Sequence, residues 1–333
     1  MRNFLIYFLV TFGLSIYGFE MFYLGKYFVK NELAQTSVAE VENGVEKIDY
    51  EKYSLESLAM DTVEPGKLEI DSENQVFSFE FDPGVNTDNF KTTTGAINIP
   101  GGDGPFPIIL MIRGYVDQEI YKTGVGTSSA AEVLAENGYI TVAPDFLGYA
   151  QSDSESESVL ETRFQTYVTI LSLLKSLDQI EVWDGKNLGI WAHSNGGQIA
   201  LTTLAVTGRA IPTTLWAPVT RPFPYNILYY TDESEDEGRF IRQELGKFEK
   251  EYDAREYSFT TYLRGITAVM QIHQGTNDDA VPLNWSEEFS RALDEASVEN
   301  ELYIYSGADH NMRPKWDEVM AQDLEFFKVN LVD

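Results

Sequence analysis

Cysteine is absent from this chain of 333 residues, and histidine occurs only three times. The missing cysteine excludes a disulfide framework, a thiolate nucleophile and a cysteine-bound metal, and three scattered histidines do not resemble a zinc site. Basic residues are scarce as well, with 24 lysines and arginines against 53 acidic residues and a formal net charge of −29. Because this charge repels phosphate backbones, we expect no nucleic-acid partner.

The most informative segment lies in the middle of the chain. A short apolar run at residues 188–191 is followed by Ala-His-Ser-Asn-Gly at residues 192–196 and then by a helical stretch. This pattern is typical of a nucleophile elbow, a tight strand-to-helix turn that presents a serine hydroxyl beside free helix amides. The crowded turn needs small residues two positions on either side of Ser194, here Ala192 and Gly196. The pattern alone also fits an inert turn serine, so Ser194 needs catalytic partners.

A serine hydroxyl needs a general base, and histidine is the usual one. His193 adjoins the serine at a strand end, where alternation turns its side chain away, and we interpret it as structural. His310 follows a strand-like segment and falls on a loop at the carboxyl end of a strand, where catalytic side chains of open parallel sheets lie. His273 ends another apolar run, and we expect it to be packed there. The sequence therefore favours His310 as the base.

The base in turn needs an acid that orients it. Asp278 follows the apolar run that ends at His273 and is the natural candidate, although its neighbour Asp279 is a rival and Asp278 could instead cap a helix. The resulting chain order is Ser194, Asp278, His310. This is the order of α/β-hydrolases and differs from those of chymotrypsin and subtilisin.

Three motifs, at residues 191–197, 273–282 and 307–310, resemble the nucleophile, aspartate and histidine motifs of the prolyl oligopeptidase family of serine peptidases in the α/β-hydrolase superfamily. The resemblance covers roughly residues 88–333. Residues 104–115 look like the strand and oxyanion loop of such enzymes, and we assign the two oxyanion donors to the backbone amides of Tyr115 and Asn195. The family usually has His-Gly in this loop, whereas Arg113 precedes Gly114 here.

The resemblance implies peptide-bond cleavage in small peptides through an acyl-enzyme, with no metal or other cofactor. Large members of the family carry a propeller domain ahead of the hydrolase domain, and 333 residues leave no room for one. A carboxylesterase acting on small esters is therefore the first alternative. A hydrolase-fold binding protein without activity is an alternative from another class.

The expected fold is an α/β-hydrolase, with a mostly parallel central sheet covered by helices on both faces and opened by antiparallel strands. We place this domain at residues 66–333. A helical cap insertion, rich in aromatic residues, is expected at about residues 219–264. Its Tyr229 and Tyr230 either form a roof over the site or pack within the cap itself.

The amino terminus differs in composition from the rest. Residues 4–24 are almost wholly apolar, with one charge at Glu20, and are long enough to span a bilayer as a transmembrane helix. We predict a membrane anchor at residues 1–30, with a cleaved signal peptide as the competing interpretation. An acidic polar tether at residues 31–65 would follow. We therefore expect a single-pass membrane protein whose catalytic domain is extracytoplasmic.

Overall fold

The computed structural model describes residues 47–231 and 236–331. The chain divides into two compact units. The larger unit contains residues 48–226 and 251–331 of the described chain, and the smaller one contains residue 47 with residues 227–231 and 236–250.

The predicted membrane location is corrected by the structure. Across residues 47–231 and 236–331, no helix is both long enough and apolar enough to cross a bilayer. The predicted anchor at residues 1–30 lies outside the described residues.

Within the described residues, nine strands form one sheet in the order β1-β2-β3-β5-β4-β6-β7-β8-β9. The pairs β1-β2, β2-β3 and β3-β5 are antiparallel. The pairs β5-β4, β4-β6, β6-β7, β7-β8 and β8-β9 are parallel. The mostly parallel sheet with antiparallel opening strands is therefore confirmed. The strands are β1 (Lys67–Asp71), β2 (Val76–Phe81), β3 (Lys91–Asn98), β4 (Phe106–Ile112), β5 (Ile140–Pro144), β6 (Trp183–His193), β7 (Thr213–Trp216), β8 (Met270–Gly275) and β9 (Asn300–Tyr305).

The described chain also contains eight α-helices. It contains short 3-10 helices as well, at Glu51–Tyr53, Leu177–Gln179, Ala254–Tyr257 and Phe259–Gly265. The α-helices are α1 (Leu55–Ala59), α2 (Ser128–Glu136), α3 (Val159–Ser176), α4 (Asn195–Thr207), α5 (Tyr225–Thr231), α6 (Arg239–Phe248), α7 (Leu283–Ala296) and α8 (Trp316–Leu331).

Strand β4 shows why the sheet is buried on both faces. Its residues from Ile108 to Ile112 are all fully buried, as expected for a continuous apolar run inside a parallel sheet. Alternation directs Ile109 and Met111 into a core shared with α2 and α8. Ile108, Leu110 and Ile112 face the opposite side of the sheet, where α4 packs. The predicted helical cover on both faces is present.

Part of the predicted tether is folded. Residues 51–59 form a 3-10 helix and α1, and the side chains of Tyr53, Leu55, Leu58 and Val63 are buried. The hydroxyl of Tyr53 donates a hydrogen bond to Glu161 of α3 at 2.9 Å. Tyr53 packs against Phe164 of α3, and α1 packs on α4, so ordered structure begins before residue 66. The cap boundaries at residues 219–264 and the roofing role of Tyr229 and Tyr230 stay predictions.

Candidate active site

Ser194 occupies the turn between β6 and α4 with a backbone conformation of φ 57° and ψ −121°. An L-residue pays on the order of 1–3 kcal/mol for such a left-handed conformation, which persists only where surrounding contacts fix it. The Ser194 amide donates to the Trp216 carbonyl at 2.9 Å, and its carbonyl accepts from the Val219 amide at 3.0 Å. Contacts with β7 and the segment after it thus hold the serine in the strained turn.

Gly196 and Gly114 allow α4, β4 and the loop after β4 to pack closely around this turn. A methyl group added at Gly196 would lie 2.0 Å from the carbonyl oxygen of Ile112, so no larger residue fits between α4 and β4. A methyl group at Gly114 would lie 2.8 Å from Cβ of Ser194, which places the loop after β4 directly against the serine. Gly196 of the motif and Gly114 of the loop after β4 are therefore required by close packing around Ser194.

The crowding at Gly196 gives a stability prediction. We expect Gly196→Ala to lower the free energy of unfolding by about 3 kcal/mol or more, because the methyl group overlaps a rigid backbone carbonyl. The matched control is Gly246→Ala in α6, where an added methyl group meets no atom of the described chain within 4 Å. That variant should gain roughly 0.5–1 kcal/mol through helix propensity. Urea denaturation of both proteins tests this, and equal stabilities would contradict the close approach.

Asp278 and His310 meet at the carboxyl ends of β8 and β9. The Nδ1 atom of His310 lies 3.0 Å from Oδ1 and 2.9 Å from Oδ2 of Asp278. Both strands end at the sheet edge where β6 delivers Ser194, because neighbouring parallel strands share one polarity. The structure thus brings the predicted acid and base into direct contact, whereas the rival Asp279 is exposed.

The Asp278 carboxylate is fully enclosed, with no exposed side-chain surface, and hydrogen bonds keep it ionised. Burial on its own would raise the pKa of Asp278, but hydrogen bonds from His310 and from the amides of Val281 and Ala280 outweigh burial and lower the pKa below its ordinary value. Gln274 Nε2 donates to Oδ2 at 2.9 Å. A negatively charged acceptor therefore faces Nδ1 of His310.

His193 lies against the candidate base. Its ring centroid is 4.7 Å from that of His310, and its Nε2 lies 2.9 Å from the His310 carbonyl oxygen. A carbonyl oxygen only accepts, so the proton of a neutral His193 must be on Nε2. Burial, followed by repulsion from His310, lowers the pKa of His193 to about 3. His193 is thus a neutral donor that fixes the backbone of residue 310.

This environment predicts an imidazole that does not titrate near neutral pH. Nitrogen-15 spectra of the full chain should show His193 as the Nε2–H tautomer without change from pH 5 to pH 8. Because its folded pKa lies below the ordinary value of 6.5, only the unfolded chain gains this proton as the pH falls, so stability should decrease from about pH 6.5 downwards. A His193 signal that titrates near pH 6.5 would contradict the assignment, and the His193→Gln variant identifies the signal.

The hydrogen-bond partners of His273 differ from those of His310. It is fully buried, with Nε2 3.0 Å from Asp323 Oδ1 and Nδ1 2.8 Å from the Tyr305 hydroxyl. Asp323 also accepts a hydrogen bond from Trp216 Nε1 at 2.7 Å. As expected from the sequence, His273 is a packed histidine, here joining β8 to β9 and α8.

The two assigned oxyanion donors flank Ser194. Asn195 is the first residue of α4, so its amide has no acceptor in the preceding turn. Tyr115 follows Gly114, which packs against the serine. Among the described residues, neither of these amides donates a hydrogen bond to the protein, and the Ser194 hydroxyl is also without a partner. The five predicted residues therefore belong to one edge of the sheet.

Some site residues did not follow from the sequence. Gln274 supports Asp278, and His193 supports His310, although the sequence pattern assigned neither residue to the site. The signal for Gln274 was its place one residue after His273 within the same strand, where alternation points it to the other face of β8. In the part of the chain that the structure describes, no cluster of three or more His, Asp or Glu side chains could hold a metal ion.

The sheet order and the helices on both faces define the α/β-hydrolase fold. A sequence model of the prolyl oligopeptidase family matches residues 125–332, more than half of the chain. The chain therefore belongs to the prolyl oligopeptidase family and is a serine hydrolase.

Solved structures with this fold are similar to the chain at low sequence identity. Dipeptidyl peptidase 4 of Porphyromonas gingivalis shares 18% identity at a TM-score of 0.53, over 80% of this chain and 35% of that one. A puromycin-hydrolyzing peptidase of Mycobacterium tuberculosis shares 17% identity at a TM-score of 0.57, over 80% of this chain and 39% of that one. The chain thus spans well under half the length of these two peptidases.

A smaller enzyme is similar over nearly its whole length. Acetyl xylan esterase 1 of a Thermoanaerobacterium species shares 16% identity at a TM-score of 0.58, over 83% of this chain and 94% of that one. Among curated protein sequences, none matches the chain significantly.

Proposed function

We propose that this serine hydrolase cleaves peptide bonds of small peptides through an acyl-enzyme on Ser194, with His310 as general base and Asp278 as the orienting acid. The observation that carries the proposal is the pair of hydrogen-bond distances, 2.9 and 3.0 Å, between the Asp278 carboxylate and Nδ1 of His310. With Nδ1–H donated to Asp278, the lone pair of Nε2 is available to accept the serine proton.

The proposed reaction has an acylation step and a deacylation step. Ser194 Oγ attacks the substrate carbonyl while its proton moves to Nε2 of His310, and the amides of Tyr115 and Asn195 donate to the developing oxyanion. The tetrahedral intermediate collapses, His310 protonates the leaving amine, and an ester to Ser194 remains. Water then attacks that ester with His310 again as the base, and the acid is released as the serine recovers its proton.

A fluorophosphonate probe tests the nucleophile and base in the full chain. The wild type should be labelled, whereas Ser194→Ala and His310→Ala should not be. Ser290→Ala in α7 is the matched control and should be labelled like the wild type, because Ser290 binds Asn300 at 2.6 Å, away from the strand ends that carry the site. A folded wild type that is not labelled would overturn the proposal in favour of a hydrolase-fold binding protein.

Hydrolysis of small carboxylic esters is the second candidate function. It is supported by the similarity in fold to acetyl xylan esterase 1, of which this chain covers 94% at a TM-score of 0.58. Dipeptide 4-nitroanilides and the corresponding 4-nitrophenyl esters separate the two candidates. Ser194-dependent hydrolysis of the anilides supports the peptidase, since an amide is the harder bond. Hydrolysis of the esters alone supports the esterase.

A further inference from the structure

Arg113, the residue that departs from the family's usual histidine, is buried at the end of β4 with 5% of its surface exposed. Its Nη1 donates to the carbonyl of Gly114 at 2.9 Å, and its Nη2 donates to the carbonyl of Asp145 at 2.6 Å. The side chain therefore joins the oxyanion loop to the end of β5.

An aromatic cage, formed by Tyr121, Phe146 and Tyr149, encloses this guanidinium. The guanidinium carbon lies 4.5, 5.4 and 4.0 Å from the respective ring centroids. Desolvating a cation costs several kcal/mol, which contacts with aromatic faces offset only in part. Asp145 is also fully buried and binds the Tyr121 hydroxyl at 2.6 Å, so a carboxylate in the same cluster balances the charge.

The hydrogen bond from Arg113 to Gly114 fixes the orientation of a peptide group. In a trans peptide, the carbonyl of Gly114 and the amide of Tyr115 point in opposite directions. Because the carbonyl is held towards Arg113, the Tyr115 N–H must point away from it. Gly114 itself lies against Ser194, since an added methyl group would be 2.8 Å from the serine Cβ. The orientation of the loop next to the nucleophile is thus determined by one buried side chain.

We propose that Arg113 is a positioning residue that keeps the oxyanion hole formed by holding the Gly114 carbonyl away from the hole and the Tyr115 amide towards it. This inference rests on the proposed function, because it assumes that Ser194 is the nucleophile. A flipped Gly114–Tyr115 peptide would present an oxygen where the reaction needs a donor.

The rate of fluorophosphonate labelling measures this role without knowledge of the substrate, because the phosphoryl oxygen occupies the oxyanion hole. Arg113→Met should slow labelling by about 100-fold, the typical effect of losing one oxyanion donor. Arg113→Lys keeps the charge and one donor and should recover at least about tenfold of that loss. Arg221→Lys is the matched control, since Arg221 also lies over an aromatic ring, that of Trp285 at 5.3 Å, but does not bind the oxyanion loop.

A sulphur analogue of the probe distinguishes positioning from general damage to the fold. Sulphur accepts hydrogen bonds weakly, so the wild type should react much faster with the P=O probe than with the P=S probe. In Arg113→Met this rate ratio should fall about tenfold, whereas a partly unfolded protein would lose both rates equally. An unchanged ratio in a labelled Arg113→Met protein would overturn the role of Arg113 alone. A wild type that neither probe labels would overturn the proposed function and this inference with it.

Discussion

Replacing Ser194 with alanine is expected to lower kcat by about 10⁶-fold on whichever amide or ester substrate the wild type hydrolyses, because no acyl-enzyme can form. The fold should survive, since alanine adopts the φ of 57° with the same strain as serine. Steady-state kinetics on freshly purified protein measures the loss. Ser194→Gly should lose activity equally but unfold at a higher temperature, because glycine relieves on the order of 1–3 kcal/mol of strain.

Two results would contradict this expectation. Residual activity above about 1% of wild type would show that Ser194 is not the nucleophile, since removal of a triad nucleophile costs far more than 10²-fold. A glycine variant less stable than the alanine variant would show that the left-handed turn stores no strain. Ser290→Ala serves as the control in both measurements.

Asp278→Asn is expected to lower kcat by about 10⁴-fold, because an asparagine NH₂ group facing Nδ1 favours the wrong histidine tautomer. The contacts of Asp278 make this substitution especially unfavourable. Oδ1 accepts from the amides of Ala280 and Val281, and Oδ2 accepts from Gln274, so an NH₂ group meets a donor in either orientation. Stability should also fall, by about 1–3 kcal/mol for unsatisfied buried donors.

The control for this prediction is Asp279→Asn, which removes an exposed neighbouring carboxylate and should keep wild-type activity. A larger loss in Asp279→Asn than in Asp278→Asn would mean that the aspartate role had been assigned to the wrong residue. The stability difference between wild type and Asp278→Asn depends on pH. The folded pKa of Asp278 lies below its ordinary value of 3.8, so its carboxylate stabilises the fold above about pH 4, and the difference should shrink as pH falls through the folded pKa.

Several features of the fold could be predicted because their causes are local in sequence. The apolar run before Ser194 and the small residues beside it specify a strand and a tight turn, and both occur at β6 and α4. Likewise, the strand-like segments before Asp278 and His310 place both residues at strand ends, and parallel pairing then brings those ends to one edge. The chain order of the three residues followed directly from the sequence.

Other features depended on partners far away in the chain. Composition predicted a tether up to residue 65, but Tyr53 is buried against α3 and the helix α1, which carries Leu58, packs on α4. Both partner helices lie far later in the chain. The role of His193 was similarly hidden, since its partner, the carbonyl of His310, lies 117 positions away.

The sequence by itself determined the family, the fold class and the three candidate catalytic residues, because strand periodicity, turn crowding and motif spacing act over a few residues. Only the tertiary structure decided how those residues are supported. Gln274 holding Asp278, His193 holding residue 310 and Arg113 holding Gly114 each depend on a side chain meeting a particular atom in space. Hydrogen bonds need donor and acceptor within about 3 Å at a defined angle, and no local pattern in a sequence encodes such a distance.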